Sequence, residues 1–155
     1  MEMTVRRSER VKVGALSGSL GFLLRLAQLH AFEEFFSDRG PQNLKPGDFS
    51  VLWVIKLNPG IRQSALGETL MIKRAHMTKL IRAQEERGLV SRRIPDDDRR
   101  AIELTLTQAG DVEVERAAGL FFQYEDTTGA PLTKREREQL VSLLHKYLGL
   151  EEASK

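Results

Sequence analysis

The sequence predicts a mainly α-helical chain carrying one small β-hairpin. Three observations lead there. Apolar residues recur at helix spacing over much of the 155 residues. Between Gln63 and Gly88 a short periodic run, a brief break and a longer periodic run follow one another. Directly afterwards, in "RRIPDDDRRAIELTLTQAG" (Arg92 to Gly110), apolar Ile102, Leu104 and Leu106 alternate with Glu103 and Thr105, the period of a half-buried strand.

The first helix is expected from Leu16 to Phe36. It carries two apolar stripes side by side: Leu16, Leu20, Leu23, Ala27, Ala31 and Phe35, then Phe22, Leu26, Leu29, Phe32 and Phe36. A surface helix needs one stripe, and a helix with two is covered on most sides. The expected cover is a second subunit. "SDRGPQNL" (Ser37 to Leu44) is a loop. "KPGDFSVLWVIKLNPG" opens a second helix, with Pro46 suited to its first turn, and Asn58-Pro59-Gly60 ends it.

"IRQSALGETLMI" holds a short helix, roughly Gln63 to Leu70. "KRAHMTKLIRAQEERGLV" holds a longer one, with Met77, Leu80 and Ile81 as its apolar face and Gly88 as its C-terminal cap. Short helix, turn and longer helix make a helix-turn-helix, and the hairpin that follows makes it winged. Thr107 is the expected N-cap of a further helix through "DVEVERAAGLFFQYED", which "TTGAP" breaks. In the last helix, "LTKREREQLVSLLHKYLGL", Thr133 and Glu136 have capping-box spacing, and Leu140, Leu143, Leu144, Tyr147 and Leu148 form an apolar stripe. The expected division is 1–40 for an N-terminal arm and first dimerisation helix, 41–107 for a DNA-binding lobe, and 108–155 for C-terminal dimerisation helices.

At 41% hydrophobic and 30% charged residues, the composition is that of an ordinary soluble protein. No run of 18 apolar residues provides a membrane span, and the basic N-terminus lacks a secretory core. A cytoplasmic protein with no membrane partner is the expectation. The absence of cysteine excludes disulfides and thiol chemistry. His30, His76 and His145 lie far apart, so no metal site is expected. There are no supported carboxylate pairs, no GxSxG and no phosphate-cradling glycine loop, so neither an enzyme nor a cofactor is expected.

The net charge is only +2, yet residues 61–100 carry ten Lys/Arg against six Asp/Glu, while residues 108–155 carry six against nine. A basic middle of this kind suits a polyanion. On the longer helix, Lys73, Arg74, His76, Thr78, Lys79 and Arg82 lie at the start or away from the apolar face. A helix-turn-helix presents those turns to the major groove, where cations meet phosphates and guanine edges. A wing beside it reaches the minor groove, a narrow electronegative slot suited to arginine. Arg100 is assigned to that groove and Arg92, Arg93 and Arg99 to the backbone or groove edge. Asp98 is assigned the role of fixing and aiming an arginine. An intra-turn salt-bridge cluster without a ligand is the alternative reading of this tip.

"LKPGDFSVLWVI", "IRQSALGETLMIKRAHMTKLIRAQEERGLVSRR" and "PDDDRRAIELTLTQAG" together resemble the MarR family of transcriptional regulators, in order and spacing, over nearly the whole chain. The resemblance implies an intertwined helical homodimer, triangular in outline, binding a pseudopalindromic operator with one subunit per half-site. It also implies a small anionic or phenolic effector, seated between the dimerisation helices and the DNA-binding lobe, that shifts the spacing of the recognition helices. Gln84 departs from the family pattern by standing where an apolar core residue is usual, which implies altered packing or an exposed glutamine. The family's peroxide-sensing branch needs a cysteine that this chain lacks.

Candidate effector-pocket residues are Arg25, Gln28 and His30, polar positions in the first helix, with Phe22, Leu26, Phe49, Trp53, Phe121 and Phe122 as apolar walls. An arginine beside aromatics suits a ring-borne carboxylate. Plain core and dimer packing is the alternative for these aromatics. The expected effector is an aromatic acid or its CoA thioester. The basic arm (Arg6, Arg7, Arg10, Lys12) meets phosphates of DNA or of such a thioester, or is a solvated tail. Overall, a ligand-responsive DNA-binding regulator is expected, most simply a repressor. A winged-helix protein-interaction or oligomerisation module without sequence-specific DNA binding is the alternative.

Overall fold

The computed structural model describes residues 11–36, 44–125, 129 and 131–150. The arm residues Arg6, Arg7 and Arg10, nearly all of the loop before Leu44 and much of the "TTGAP" break therefore lie outside the described residues, as do the side chains of Phe35 and Phe36. Among the described residues, six α-helices and three short strands follow in the order α1 (Leu20–Phe36), α2 (Pro46–Leu57), β1 (Ile61–Arg62), α3 (Gln63–Thr69), α4 (Arg74–Glu86), β2 (Val90–Arg93), β3 (Glu103–Leu106), α5 (Gln108–Glu125) and α6 (Lys134–Leu148). None of the described helices is long and apolar enough to cross a membrane.

The first helix differs from expectation at its start. Gly14–Gly18 forms a separate 3₁₀ turn, and Ser19 is extended (φ −81°, ψ 117°), so Leu16 sits before the break and Leu20 opens α1. Apolar spacing runs on through Ser19 because both segments expose leucines; periodicity alone does not register a single residue leaving helical backbone.

α2 begins with Pro46 in its first turn, as expected, and buries Phe49, Val51, Leu52 and Ile55. These pack with Leu66 of α3, Met77 and Ile81 of α4, Leu104 of β3 and Val114, Ala117 and Ala118 of α5 in one core. The first turn of α5 packs closely on the backbone that follows α4. A Cβ on Gly110 would run into the carbonyl oxygen of Leu89. Thr107, the expected N-cap, accepts the Gly110 N–H at 3.0 Å and donates to the Gly88 carbonyl at 2.6 Å, tying the start of α5 to the end of α4. Lys56 of α2 makes a second tie. Its Nζ lies 2.5 Å from Asp111 and 2.8 Å from Glu115, one helical turn apart on α5. Hydrogen bonds to those two carboxylates hold the Lys56 ammonium above the ordinary lysine range.

The sheet has the order β1-β3-β2, antiparallel throughout, with Ile61 opposite Leu104 and Val90 opposite Leu106. The hairpin β2–β3 is the expected wing, while β1 is an addition. Two residues are too few to show alternation in a sequence, and Ile61–Arg62 becomes a strand only because β3 supplies its partners. Arg92 and Arg93 belong to β2 and not to the hairpin tip; Arg93 stands opposite Glu103 with 3.5 Å between their charged groups.

Gln84 is 2% exposed, so it is a core residue and not an exposed one. Its Oε1 accepts a hydrogen bond from Arg87 at 3.0 Å, which gives the buried amide a partner. At α6 the capping box forms as the spacing predicts: the Thr133 side chain accepts from Glu136 N and the Glu136 carboxylate accepts from Thr133 N. The Thr133 hydroxyl, then its backbone N–H, hold the Glu136 carboxyl below the usual range.

Candidate nucleic-acid interface

Helix α4 is sharply two-sided. Met77, Ile81 and Gln84 are buried, whereas Lys73, Arg74, His76, Thr78, Lys79 and Arg82 are all exposed. The sequence-predicted basic residues therefore share one open face. Thr78 is engaged within the motif: its hydroxyl donates to the Arg74 carbonyl at 2.9 Å and accepts from the Gln63 side chain at 3.1 Å. That bond links the first turn of α3 to the exposed face of α4, and Gln63 enters the site although its sequence position carries no signal of it.

Between the start of α4 and the wing lies a cleft of about 870 Å³ lined by Gln63, Ser64, Met71, Lys73, Arg74 and Arg100, among others. Lys73 and Arg74 thus meet Arg100 across one opening. Arg99 and Arg100 are both exposed.

Asp98 does restrain the wing, though not through the side chain of Arg100. Its Oδ1 accepts the Arg100 backbone N–H at 3.1 Å and its Oδ2 lies 3.5 Å from Arg62 of β1. The arginine it pairs with is Arg62, missed at the sequence level because the two residues are remote in the chain and β1 itself was not visible. The two arginines of β2 are partnered within the protein: Arg92 with Glu85 at 2.6 Å, at the far end of α4, and Arg93 with Glu103.

Four of the candidate effector-pocket residues form one aromatic cluster. Phe49 stacks on Phe121 at 4.2 Å, and Trp53 meets Phe122 edge-on at 5.2 Å. Phe49 is fully buried and belongs to the core, while Trp53 and Phe121 are half-buried and Phe122 is exposed. The cluster is closed at Phe49 and open at Phe122. On α1, Phe22, Arg25, Leu26 and His30 recur at the spacing of one helix face, with Phe22 half-buried and the others exposed. Leu16, Leu20, Leu140, Leu143, Tyr147 and Leu148 are exposed and Leu144 is half-buried, and no residue of α6 is buried.

The family model for the MarR family matches residues 44–102, from the start of α2 to the wing. A protein of Thauera aromatica assigned to transcriptional regulation of the hcr operon is 33% identical over 134 residues, 86% of this chain and 81% of its own length. The chain belongs to the MarR family. It is a transcriptional regulator with a DNA-binding winged helix and not an enzyme. Among solved MarR-type structures, the repressor CouR bound to a 23-mer DNA duplex is 36% identical, with a TM-score of 0.79 over 90% of this chain and 99% of that one. CouR bound to p-coumaroyl-CoA is 34% identical, with a TM-score of 0.79 over 91% and 99% of the two chains.

Proposed function

We propose that this MarR-family regulator is a cytoplasmic repressor that binds a pseudopalindromic operator as a homodimer and leaves it when an aromatic acid or its CoA thioester binds. The observation that carries the reading is the likeness to CouR, a repressor solved both on DNA and with p-coumaroyl-CoA, at 34–36% identity over nine tenths of this chain. In this reading Lys73, Arg74, His76, Lys79 and Arg82 enter the major groove, and Thr78 offers its methyl group because its hydroxyl is already bonded. Arg100 enters the minor groove and Arg99 its edge, with Asp98 and Arg62 setting the wing. Arg92 and Arg93 reach phosphates only by exchanging Glu85 and Glu103 for DNA.

The apolar surface of the 3₁₀ turn, α1 and α6, including Leu16, Leu20, Leu140, Leu143, Tyr147 and Leu148, supports a partner subunit as its cover. Residues 1–40 and 108–155 then build the dimer and 41–107 the DNA-binding lobe, with the first half of α5 packed into the lobe's core. The effector sits against the open side of the aromatic cluster at Trp53, Phe121 and Phe122. Phe22, Arg25, Leu26 and His30 of α1 close that site in the dimer, and Phe49 backs it from the core.

Trp53 is the chain's one tryptophan, so it reports directly on this site. Its emission is followed while p-coumaroyl-CoA, p-coumarate, benzoate or CoA alone is added, with release of a labelled promoter duplex read in parallel. Quenching and release by an aromatic acid or thioester, and by no other addition, is the expected result. Release by CoA alone, or no response of Trp53 to any of them, contradicts the reading.

A further inference from the structure

Helices α3, α4 and α6 end in the same way. At each, the residue after the last helical turn takes left-handed backbone, and two crossed backbone bonds close the end. At α4 the residue is Gly88 (φ 72°), with Gly88 N–H on the Glu85 carbonyl and Leu89 N–H on that of Gln84. At α6 it is Gly149 (φ 66°), with bonds to Lys146 and, from Leu150, to His145. Glycine is usual there because it has no Cβ to clash with the neighbouring carbonyl.

At α3 the same position holds Met71 (φ 53°). Met71 N–H bonds to the Glu68 carbonyl and Ile72 N–H to that of Gly67. Among the described residues it alone has left-handed backbone without being glycine. Its side chain returns nothing to the core, being 86% exposed. Left-handed backbone costs a residue with a Cβ free energy on folding, and this side chain recovers none of it by burial. Most of its surface is therefore open to a contact outside its own subunit's fold.

What lies outside is set by its neighbours. Met71 lines the cleft between α4 and the wing, whose twelve lining residues include three cations, Lys73, Arg74 and Arg100, against the single carboxylate of Glu68. If α4 occupies the major groove and the wing the adjoining minor groove, one sugar-phosphate strand must pass between them, through this cleft. Cations meet its phosphates. Its deoxyribose faces and thymine methyl groups are apolar, and a flexible unbranched thioether suits such a surface.

We propose that Met71 is a DNA-contacting residue, packing its thioether on the apolar surface of the strand held between recognition helix and wing. The inference rests on the DNA-binding reading of α4 and the wing, and its test separates the two.

Met71→Gly removes both the side chain and the strain; Met71→Leu keeps an apolar side chain under the same strain; Arg74→Ala serves as the marker for the DNA reading itself. Each full-length variant is measured for melting temperature and, by fluorescence anisotropy over a salt series, for affinity to a duplex spanning the promoter region of its own gene. M71G is expected to melt at or above the parent temperature and yet bind about three- to tenfold more weakly, with M71L within about twofold of the parent. The slope of log affinity against log salt stays unchanged in both, because no phosphate contact is lost, whereas R74A lowers it by about one. If R74A weakens binding and M71G does not, Met71 has no part in DNA contact although the interface stands. If neither weakens binding, the DNA reading of α4 fails and the proposal with it. An M71G variant that melts lower and loses affinity only in proportion shows a purely structural residue and also overturns the proposal.

Discussion

Asp98 on the wing and Arg62 on β1 meet across the sheet, Oδ2 to Nη1 at 3.5 Å, while the other oxygen of the same carboxylate holds the Arg100 backbone N–H at 3.1 Å. One side chain therefore fixes the turn that carries Arg100 and anchors it to the strand leading into the helix-turn-helix. An exposed ion pair of this length contributes about 0–1 kcal/mol to stability. Its consequence is positional.

That makes Asp98→Asn informative by its sign. Removing a negative charge from a DNA-facing surface strengthens binding if net charge is what matters. If the carboxylate sets the wing, the loss of the Arg62 pair weakens binding instead, by about 0.5–1 kcal/mol or roughly two- to fivefold. Anisotropy titration with promoter DNA decides between the two signs.

The wing arginines divide by partner. Arg100 is exposed and lines the cleft, whereas Arg92 is held at 2.6 Å by Glu85. Arg100→Ala is expected to cost about 1–3 kcal/mol of DNA affinity. Arg92→Ala is expected to cost under about 0.5 kcal/mol of affinity, since a cation already neutralised inside the protein offers DNA little. Equal losses from both refute this division.

Lys56 supplies a pH dependence. Hydrogen bonds to Asp111 and Glu115 raise its folded-state pKa. A raised lysine stabilises the fold fully below its unfolded pKa, about 10.4, and loses that contribution as pH climbs through the higher folded value. The melting-temperature gap between the parent and Lys56→Met should therefore be constant from about pH 7 to 10 and close above it. A gap that already closes between pH 7 and 9 contradicts the assignment.

Gly110 tests the packing of α5 on the turn that follows α4. An added Cβ meets the Leu89 carbonyl, which is backbone and is itself fixed by the Thr107 N–H at 3.0 Å. Neither side can move aside cheaply. Gly110→Ala is expected to cost about 1–3 kcal/mol in urea unfolding, even though alanine is the better helix former. A neutral or stabilising result shows that α5 is free to shift.

What was legible in the sequence were signals contained within a few residues. Thr133 with Glu136, Gly88 after α4, Thr107 before α5 and the alternation through Leu104 each state a local bond or a local period, and the structure bears out each of them. The basic face of α4 was legible for the same reason, since helix spacing alone separates Arg74 and Lys79 from Met77 and Ile81. What was not legible needed a partner distant in the chain. β1 exists by pairing with β3, and Arg62 matters through Asp98. Burial of Gln84 depends on the bond from Arg87. The break at Ser19 and the left-handed Met71 are single-residue backbone states that no side-chain pattern announces.

The proposed function requires two copies of this chain to place two α4 helices on one duplex. Sedimentation velocity with a labelled promoter duplex measures it directly. A dimer at micromolar concentration without DNA and two chains per duplex at saturation are expected. A single chain sedimenting alone, and a single chain per duplex, would contradict it.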